Sequence, residues 1–365
     1  MHDAFSERGF LPKSDPATQF PPDSELSALD QMGRDLPSIL LEKDARQYLE
    51  SQTIPELPKE WTLESELSLI RLYYVRLGFI VSGYINQISQ PQSHKIPQNL
   101  AQPLTQVCEL LNRPPILSYD GYALYNWRRF DPNQPVALGN IDTIQNFVHL
   151  YDEHWFILIH VEIEAIAAEI FSSIEALPIE PPPTNDEVNH CLINIKNALD
   201  RITKVLKRIP ERMSAELYFR QFRPYIRFFE EVEYEGVDNA AINHRGETGA
   251  QSSIMPVLSG FMKIPYTETQ LVAHLKDMRN YMPASHRQYI EQMETKTSIK
   301  PLADPQAFDD VLEKMAQFRE IHLDWAEQYI NRHVSDPRGT GGTPYMQWLQ
   351  QLIDETRNYK YCPNG

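Results

Sequence analysis

The chain has 365 residues, 42% of them apolar, and sets 34 basic side chains against 50 acidic ones for a net charge of −16. That is enough apolar material for a substantial core, in two domains or in one large domain with a smaller attachment. An acidic chain without a basic stripe is a poor partner for nucleic acid or an anionic membrane, and three scattered cysteines, Cys108, Cys191 and Cys362, suit a reducing cytoplasm better than a disulfide framework.

The opening residues are polar and charged, unlike a signal peptide. Residues 1–36, rich in proline, serine and acidic side chains, read as an irregular arm laid over the body. Helical patterning starts near Pro37 and runs to about Glu50. Residues 61–88 read as one long helix, because Leu63, Leu67, Ile70, Tyr73, Tyr74, Leu77 and Ile80 keep a helical period. A loop rich in proline and glutamine precedes a helix over 104–111. Pro114 and Pro115 open an extended segment, 116–119. A turn cluster at 131–135 follows, and the main domain boundary is expected near residue 145. The expected units are thus an arm (1–36), a small domain (37–145) and a large domain (146–365).

Residues 156–177 form a helix that is apolar almost all round in its first half, hence buried on most sides. No run is long enough to span a membrane; the longest, 155–161, is broken by His160 and then by Glu162. His160 shares a stripe with Phe156, Ile163 and Ala167. Glu164, one turn on, is a candidate partner for it, which leaves a structural histidine and a functional one both open. A helix over 186–208 follows a stiff proline connector. Residues 212–229 are helical or bent, dense in arginine and aromatics, with a break expected at Pro224. Arg220, Arg223 and Arg227 compete there as carboxylate-binding guanidinium groups. Residues 230–243 read as an acidic loop. Gly246 to Ser253 is a run of small residues before an apolar helix, suited to close approach of backbone to a ligand or to ordinary capping. Helices over 271–281 and 284–293 flank Pro283.

Asp304-Pro305 is a helix start, with a capping carboxylate and a proline in the first turn. Phe308, Val311, Met315, Phe318, His322, Trp325 and Tyr329 then recur at spacings of three and four. His322 therefore points inward, as a core histidine or as a metal ligand. No His or Cys lies one turn away on this helix, which disfavours a zinc site. A lone imidazole in an apolar pocket suits an axial ligand to haem iron, where the porphyrin supplies the other donors. The run from Gly339 to Thr343 lacks the Lys-Ser/Thr ending of a phosphate loop and follows a helix; it reads as a flexible loop able to close over a site. A last helix covers 345–358. With no repeat and no alternating strand series, the fold is expected to be all-α.

Several of these stretches resemble the indoleamine 2,3-dioxygenase family. They are Arg113 to Tyr119 with Asn126-Trp127, Phe156 to Ala168, Phe219 to Tyr225, Gly249-Ala-Gln-Ser-Ser253, Arg279-Asn-Tyr-Met-Pro-Ala-Ser-His-Arg287, Arg319-Glu-Ile-His322 and Gly339-Thr-Gly-Gly-Thr343, in the family's order. The resemblance implies a small N-terminal domain capping a large haem-binding domain. It also implies a haem b cofactor, O₂ as co-substrate, and cleavage of the indole C2–C3 bond of L-tryptophan or a close derivative. It makes His322 the iron ligand and sets Arg319 near a haem propionate. Arg223 takes the substrate carboxylate. Phe156 and Tyr218 pack on the indole, and Tyr119 and Tyr122 line the inner pocket. Gly249 and Ala250 leave room at the haem edge, while Thr248 and Thr340 attend the amino-acid end. Departures are His160 in place of the distal serine, Thr248 in place of serine, Glu247 in place of glycine and Tyr122 in place of cysteine. His160 above the iron resembles the related tryptophan 2,3-dioxygenases. A haem monooxygenase or rearrangement enzyme for a substituted tryptophan, and a non-catalytic oxygen-binding protein, are the competing functions. The implied partner is a small indole, with no nucleic acid or membrane and with oligomeric state open.

Overall fold

A computed structural model describes residues 7–88, 90–267, 269–333 and 345–362. It is mainly helical, as expected, with two small patches of sheet. The N-terminal half contains α1 (Ser27–Ile39), α2 (Ala45–Ser51), α3 (Leu67–Ile85) and α4 (Gln98–Leu110), with the two-residue strand β1 (Lys95–Ile96) before α4. A π-helical turn, Asp120–Leu124, leads into the antiparallel pair β2 (Trp127–Arg129) and β3 (Ile141–Thr143). Next come α5 (Tyr151–Glu175), α6 (Asn185–Leu206) and the single turn α7 (Ala215–Leu217). The hairpin β4 (Phe229–Tyr234) and β5 (Asp238–His244) joins β1 in a small sheet, parallel to β1 and antiparallel within the hairpin. The rest is α8 (Ile254–Met262), α9 (Gln270–Arg279), α10 (Ala284–Thr295), α11 (Pro305–Tyr329) and α12 (Tyr345–Asn358).

Helix α5 organises the packing. Ile157, Leu158 and Val161 on one side join a core built from α3, α4 and the Asp120–Leu124 turn. Ile159, Ile163, Ala167 and Ile170 on the other side join a second core with α6, α8, α10 and α11. A helix shared by two cores needs apolar residues on nearly every face, which accounts for its sequence.

The structure corrects three expectations. Residues 27–36 are helical, and the arm before them is tightly packed: Phe10, Leu11 and Phe20 are buried. Phe10 lies 4.5 Å from the Phe171 ring and 4.2 Å from that of His286. A Cβ on Gly9 would stand 2.9 Å from the Glu164 carbonyl oxygen, so the arm rests directly on the α5 backbone. The long helix begins at Leu67, since Thr62 and Ser65 close a turn on each other's backbone N–H groups at 3.2 Å. Residues 230–243 form most of a hairpin. Register shifts along β4 break the regular alternation that marks a strand, while Phe229, Val232 and Tyr234 are buried.

Candidate active site

Asp304 caps α11 as its sequence suggests, its Oδ1 accepting from the Ala307 N–H at 2.9 Å. The apolar stripe buries Phe308, Val311, Met315 and Tyr329 and turns His322 towards a cavity of about 610 Å³. The imidazole is exposed to this cavity. Burial, reinforced by the neighbouring His160, pushes its pKa down to about 4, so the ring is neutral and its lone pair is available near pH 7.

His160 on α5 lines the same cavity. Its Nδ1 lies 2.7 Å from the Phe156 carbonyl oxygen, one turn back. A carbonyl can only accept, so Nδ1 carries the proton and Nε2 is left as an acceptor. Burial lowers its pKa, with the Phe156 hydrogen bond opposing the shift. Glu164 is not its partner. Instead Glu164 Oε1 accepts from the Tyr119 hydroxyl at 2.9 Å and from the Ser252 hydroxyl at 2.7 Å. That carboxyl is fully buried and pushed up to about 7 by desolvation, against the pull of those two hydrogen bonds. Burial and the nearby Glu164 raise the Tyr119 phenol well above its ordinary range.

Phe156 and Tyr218 complete the wall beside His160, their rings 5.5 Å apart. The loop ahead of α8 brings in Glu247, Thr248, Gly249 and Ala250. It is fixed by Gln251, whose Oε1 accepts from the Tyr119 N–H and whose Nε2 donates to the Gly246 carbonyl, each at 2.9 Å. A Cβ at Gly249 would meet only the His322 ring, at 3.6 Å from Cε1, and is otherwise unobstructed. Burial raises the Glu247 carboxyl to about 8.

The structure thus brings Tyr119, Phe156, His160, Tyr218, Thr248, Gly249, Ala250, Arg319 and His322 to one cavity. Tyr122 and Arg223 are buried but are not among its lining residues. The Tyr122 hydroxyl donates to Glu153 at 3.3 Å, and the Arg223 guanidinium lies 5.5 Å over the Phe219 ring. Thr340 and its glycine-rich loop lie outside the described residues. Sequence reasoning missed Ser259, Tyr266, His274 and Trp348, which line the far end of the cavity with Lys263 and Lys276. No local pattern distinguishes them from ordinary helix residues. Glu153, which braces Tyr122 and is pushed up to about 7 by burial, was also missed.

These residues fit a haem. His322 offers the cavity a neutral imidazole, a donor of the kind that would hold haem iron. The cavity is apolar around His160 and His322 and becomes polar at Arg319. That guanidinium is held by the Thr356 hydroxyl, the Leu352 carbonyl at 3.2 Å, and Ser259 and Tyr266 at 3.4 Å. It is a cation held in place in the cavity wall. Trp325, one turn beyond His322, also lines the cavity, and its buried indole N–H has no partner among the described residues.

Comparison with known proteins agrees with this geometry. The family model "Indoleamine 2,3-dioxygenase" matches residues 2–359. Indoleamine 2,3-dioxygenase 2 of Homo sapiens is 27% identical over 81% of this chain and 80% of its own length. Indoleamine 2,3-dioxygenase qulI of Penicillium citrinum is 29% identical over 97% of this chain and 86% of its own. A 6-hydroxytryptophan 2,3-dioxygenase, fscD of Fusarium equiseti, is 25% identical over 95% and 94% respectively. The match runs through the arm, both cores and every stretch that builds the cavity: the chain belongs to the indoleamine 2,3-dioxygenase family, and it is a dioxygenase.

Proposed function

We propose that the protein binds haem b through His322 and uses O₂ to cleave the C2–C3 bond of the indole ring of L-tryptophan or a close derivative, giving an N-formylkynurenine-type product. The observation that carries this reading is the placement of His160 and His322 in the wall of one cavity, with the His160 Nε2 free to accept. Bound there, haem would supply the activation of O₂; no protein side chain of the site is itself an oxidant.

The remaining work belongs to this chain's residues. Phe156 and Tyr218 hold the indole plane, and the His160 Nε2 accepts from the indole N–H. Positioning of this kind supplies much of the rate when two reactants must meet at near-attack distance. Glu164 fixes Tyr119 and Ser252, and so keeps the wall rigid and closed to water. Arg223 takes the substrate carboxylate, Thr248 and Thr340 attend the amino-acid end, and Arg319 receives a haem propionate. Tyr122 shapes the inner pocket through its contact with Glu153. Residues 146–365 form the haem-binding domain and 37–145 its cap. No described helix is long and apolar enough to cross a membrane, and a cytoplasmic location fits the cysteine usage.

A second reading keeps the chemistry and changes the substrate to a ring-substituted tryptophan. Tyr218 and Glu247 add a hydroxyl and a carboxyl group to the cavity wall, and a relative matched over 94% of its length is named for 6-hydroxytryptophan. Incubating the reduced haem-loaded protein with tryptophan and ring-hydroxylated tryptophans under O₂, with mass spectrometry of products, tests both readings. Ring-opened tryptophan supports the first, and turnover of hydroxylated substrates alone supports the second. No ring-opened product from any indole contradicts both.

A further inference from the structure

We propose that His160 is a second iron ligand: in the resting ferric protein, before substrate binds, its Nε2 fills the axial position that His322 leaves open. The inference rests on the reading of the cavity as a haem site anchored by His322, and it concerns a side chain that stands where the family resemblance puts a serine.

A histidine that ligates a metal presents a neutral ring with one bare nitrogen. Its other ring N–H is tied to a carbonyl or carboxylate, which fixes the tautomer and the ring plane and makes the bare nitrogen a better donor. His160 is built in this way. Its Nδ1 donates to the Phe156 carbonyl at 2.7 Å, and its Nε2 has no partner among the described residues. The Phe156 ring at 4.6 Å and the Tyr119 ring at 6.0 Å, in a T-shaped contact, hold the imidazole in place.

His160 comes from α5 and His322 from α11, and both line one cavity. A charge on His160 bears on the His322 ring, so the two imidazoles lie within electrostatic reach of each other. Other donors in the wall are engaged. The Tyr119 hydroxyl donates to Glu164 at 2.9 Å, Lys263 donates to the Met293 and Glu294 carbonyls at 2.7 and 2.6 Å, and the His274 ring packs 5.0 Å from that of Trp348. Met213 and Met255 offer thioethers, which favour softer metal ions than ferric iron.

The bond needs only the Nε2 lone pair; no proton or electron is transferred. One lone pair cannot serve iron and the indole N–H at once, so substrate and this bond exclude each other. The His160 bond is therefore the labile one of the two, while His322 remains the anchor. Until substrate claims Nε2, the position open to O₂ stays filled.

The test is the spin state of the haem-loaded ferric protein without substrate, read by electron paramagnetic resonance and the optical spectrum. Two imidazole ligands make ferric haem low-spin, whereas one imidazole with water or an empty position leaves it high-spin. Wild type should be low-spin. His160→Ala and His160→Ser should lose that signal at unchanged haem per chain, and imidazole added to His160→Ala should restore it. L-tryptophan should convert wild type to the high-spin form. A high-spin wild type, a low-spin signal that persists in both variants and so belongs to a thioether or hydroxide, or one that L-tryptophan leaves unchanged would overturn the assignment. A wild-type protein that takes up no haem defeats the reading of the site instead, so the two failures are distinguishable.

Discussion

The Tyr119 hydroxyl donates to Glu164 at 2.9 Å, and this one bond ties the Asp120–Leu124 turn to the centre of α5. Ser252 donates to the same oxygen from the loop ahead of α8, so three elements of the cavity wall meet at a buried carboxyl.

That carboxyl has a pH consequence. Its folded pKa of about 7 lies above the ordinary 4.5, so the folded state holds its proton more tightly than the unfolded chain. The contribution to stability is fully present below the unfolded value and is lost as pH rises through about 7. Glu164→Gln cannot ionise and should lose less stability than wild type between about pH 5 and about pH 8, by on the order of 3 kcal/mol. Urea unfolding of both proteins at the two pH values checks this. Parallel pH dependence in the two would show that Glu164 ionises at its ordinary pKa.

His160→Ser should keep most activity on tryptophan and gain activity on 1-methyltryptophan, which has no N–H to donate. The expectation follows from the fixed tautomer: with Nδ1 held by the Phe156 carbonyl at 2.7 Å, Nε2 can act only as an acceptor while the ring is neutral. Steady-state kinetics on both substrates decide it. If His160→Ala alters neither the kinetics nor the ferrous-CO stretching frequency, His160 does not face bound oxygen.

Arg223→Ala should raise the KM for tryptophan roughly ten- to a hundred-fold while haem content holds, since a charge-assisted bidentate contact contributes about 1.5–3 kcal/mol. Arg220→Ala should leave KM unchanged. Its side chain is 69% exposed and only 3.5 Å from Glu216 one turn earlier, a surface pair of little energetic weight. The opposite ranking would move the carboxylate site to another arginine.

The α11 stripe and its capped start were legible because a long amphipathic helix repeats one physical demand every turn. Which of Arg220, Arg223 and Arg227 is buried was not. It depends on a π-helical turn, Tyr218–Phe222, which shifts the register so that Arg223 is buried and the other two are exposed. The pairing of His160 with Glu164 failed for a related reason. Spacing of one turn allows the contact, yet Tyr119 and Ser252, remote in sequence, compete for the carboxylate and win. The hairpin at β4 and β5 was hidden by its bulges and acidic exposed positions. The cavity residues Ser259, Tyr266 and Trp348 meet through tertiary packing of α8, the segment after it and α12, which no local pattern encodes.

His322→Ala should abolish stable haem incorporation, because the proposed bond from this imidazole would be the covalent anchor of the haem. Haem per chain, by pyridine haemochrome, measures it. His322→Gly should recover a Soret band when imidazole is added to the solution. A full complement of haem in His322→Ala would assign the iron to another ligand.

The most direct measurement is oxygen-18 incorporation. Haem-loaded, reduced protein turns over tryptophan under labelled O₂, and the ring-opened product is analysed at once by mass spectrometry. Both atoms of one O₂ molecule should appear in the product, with no external reductant consumed in each turnover. A product with a single labelled oxygen, formed at the expense of a reductant, would contradict this.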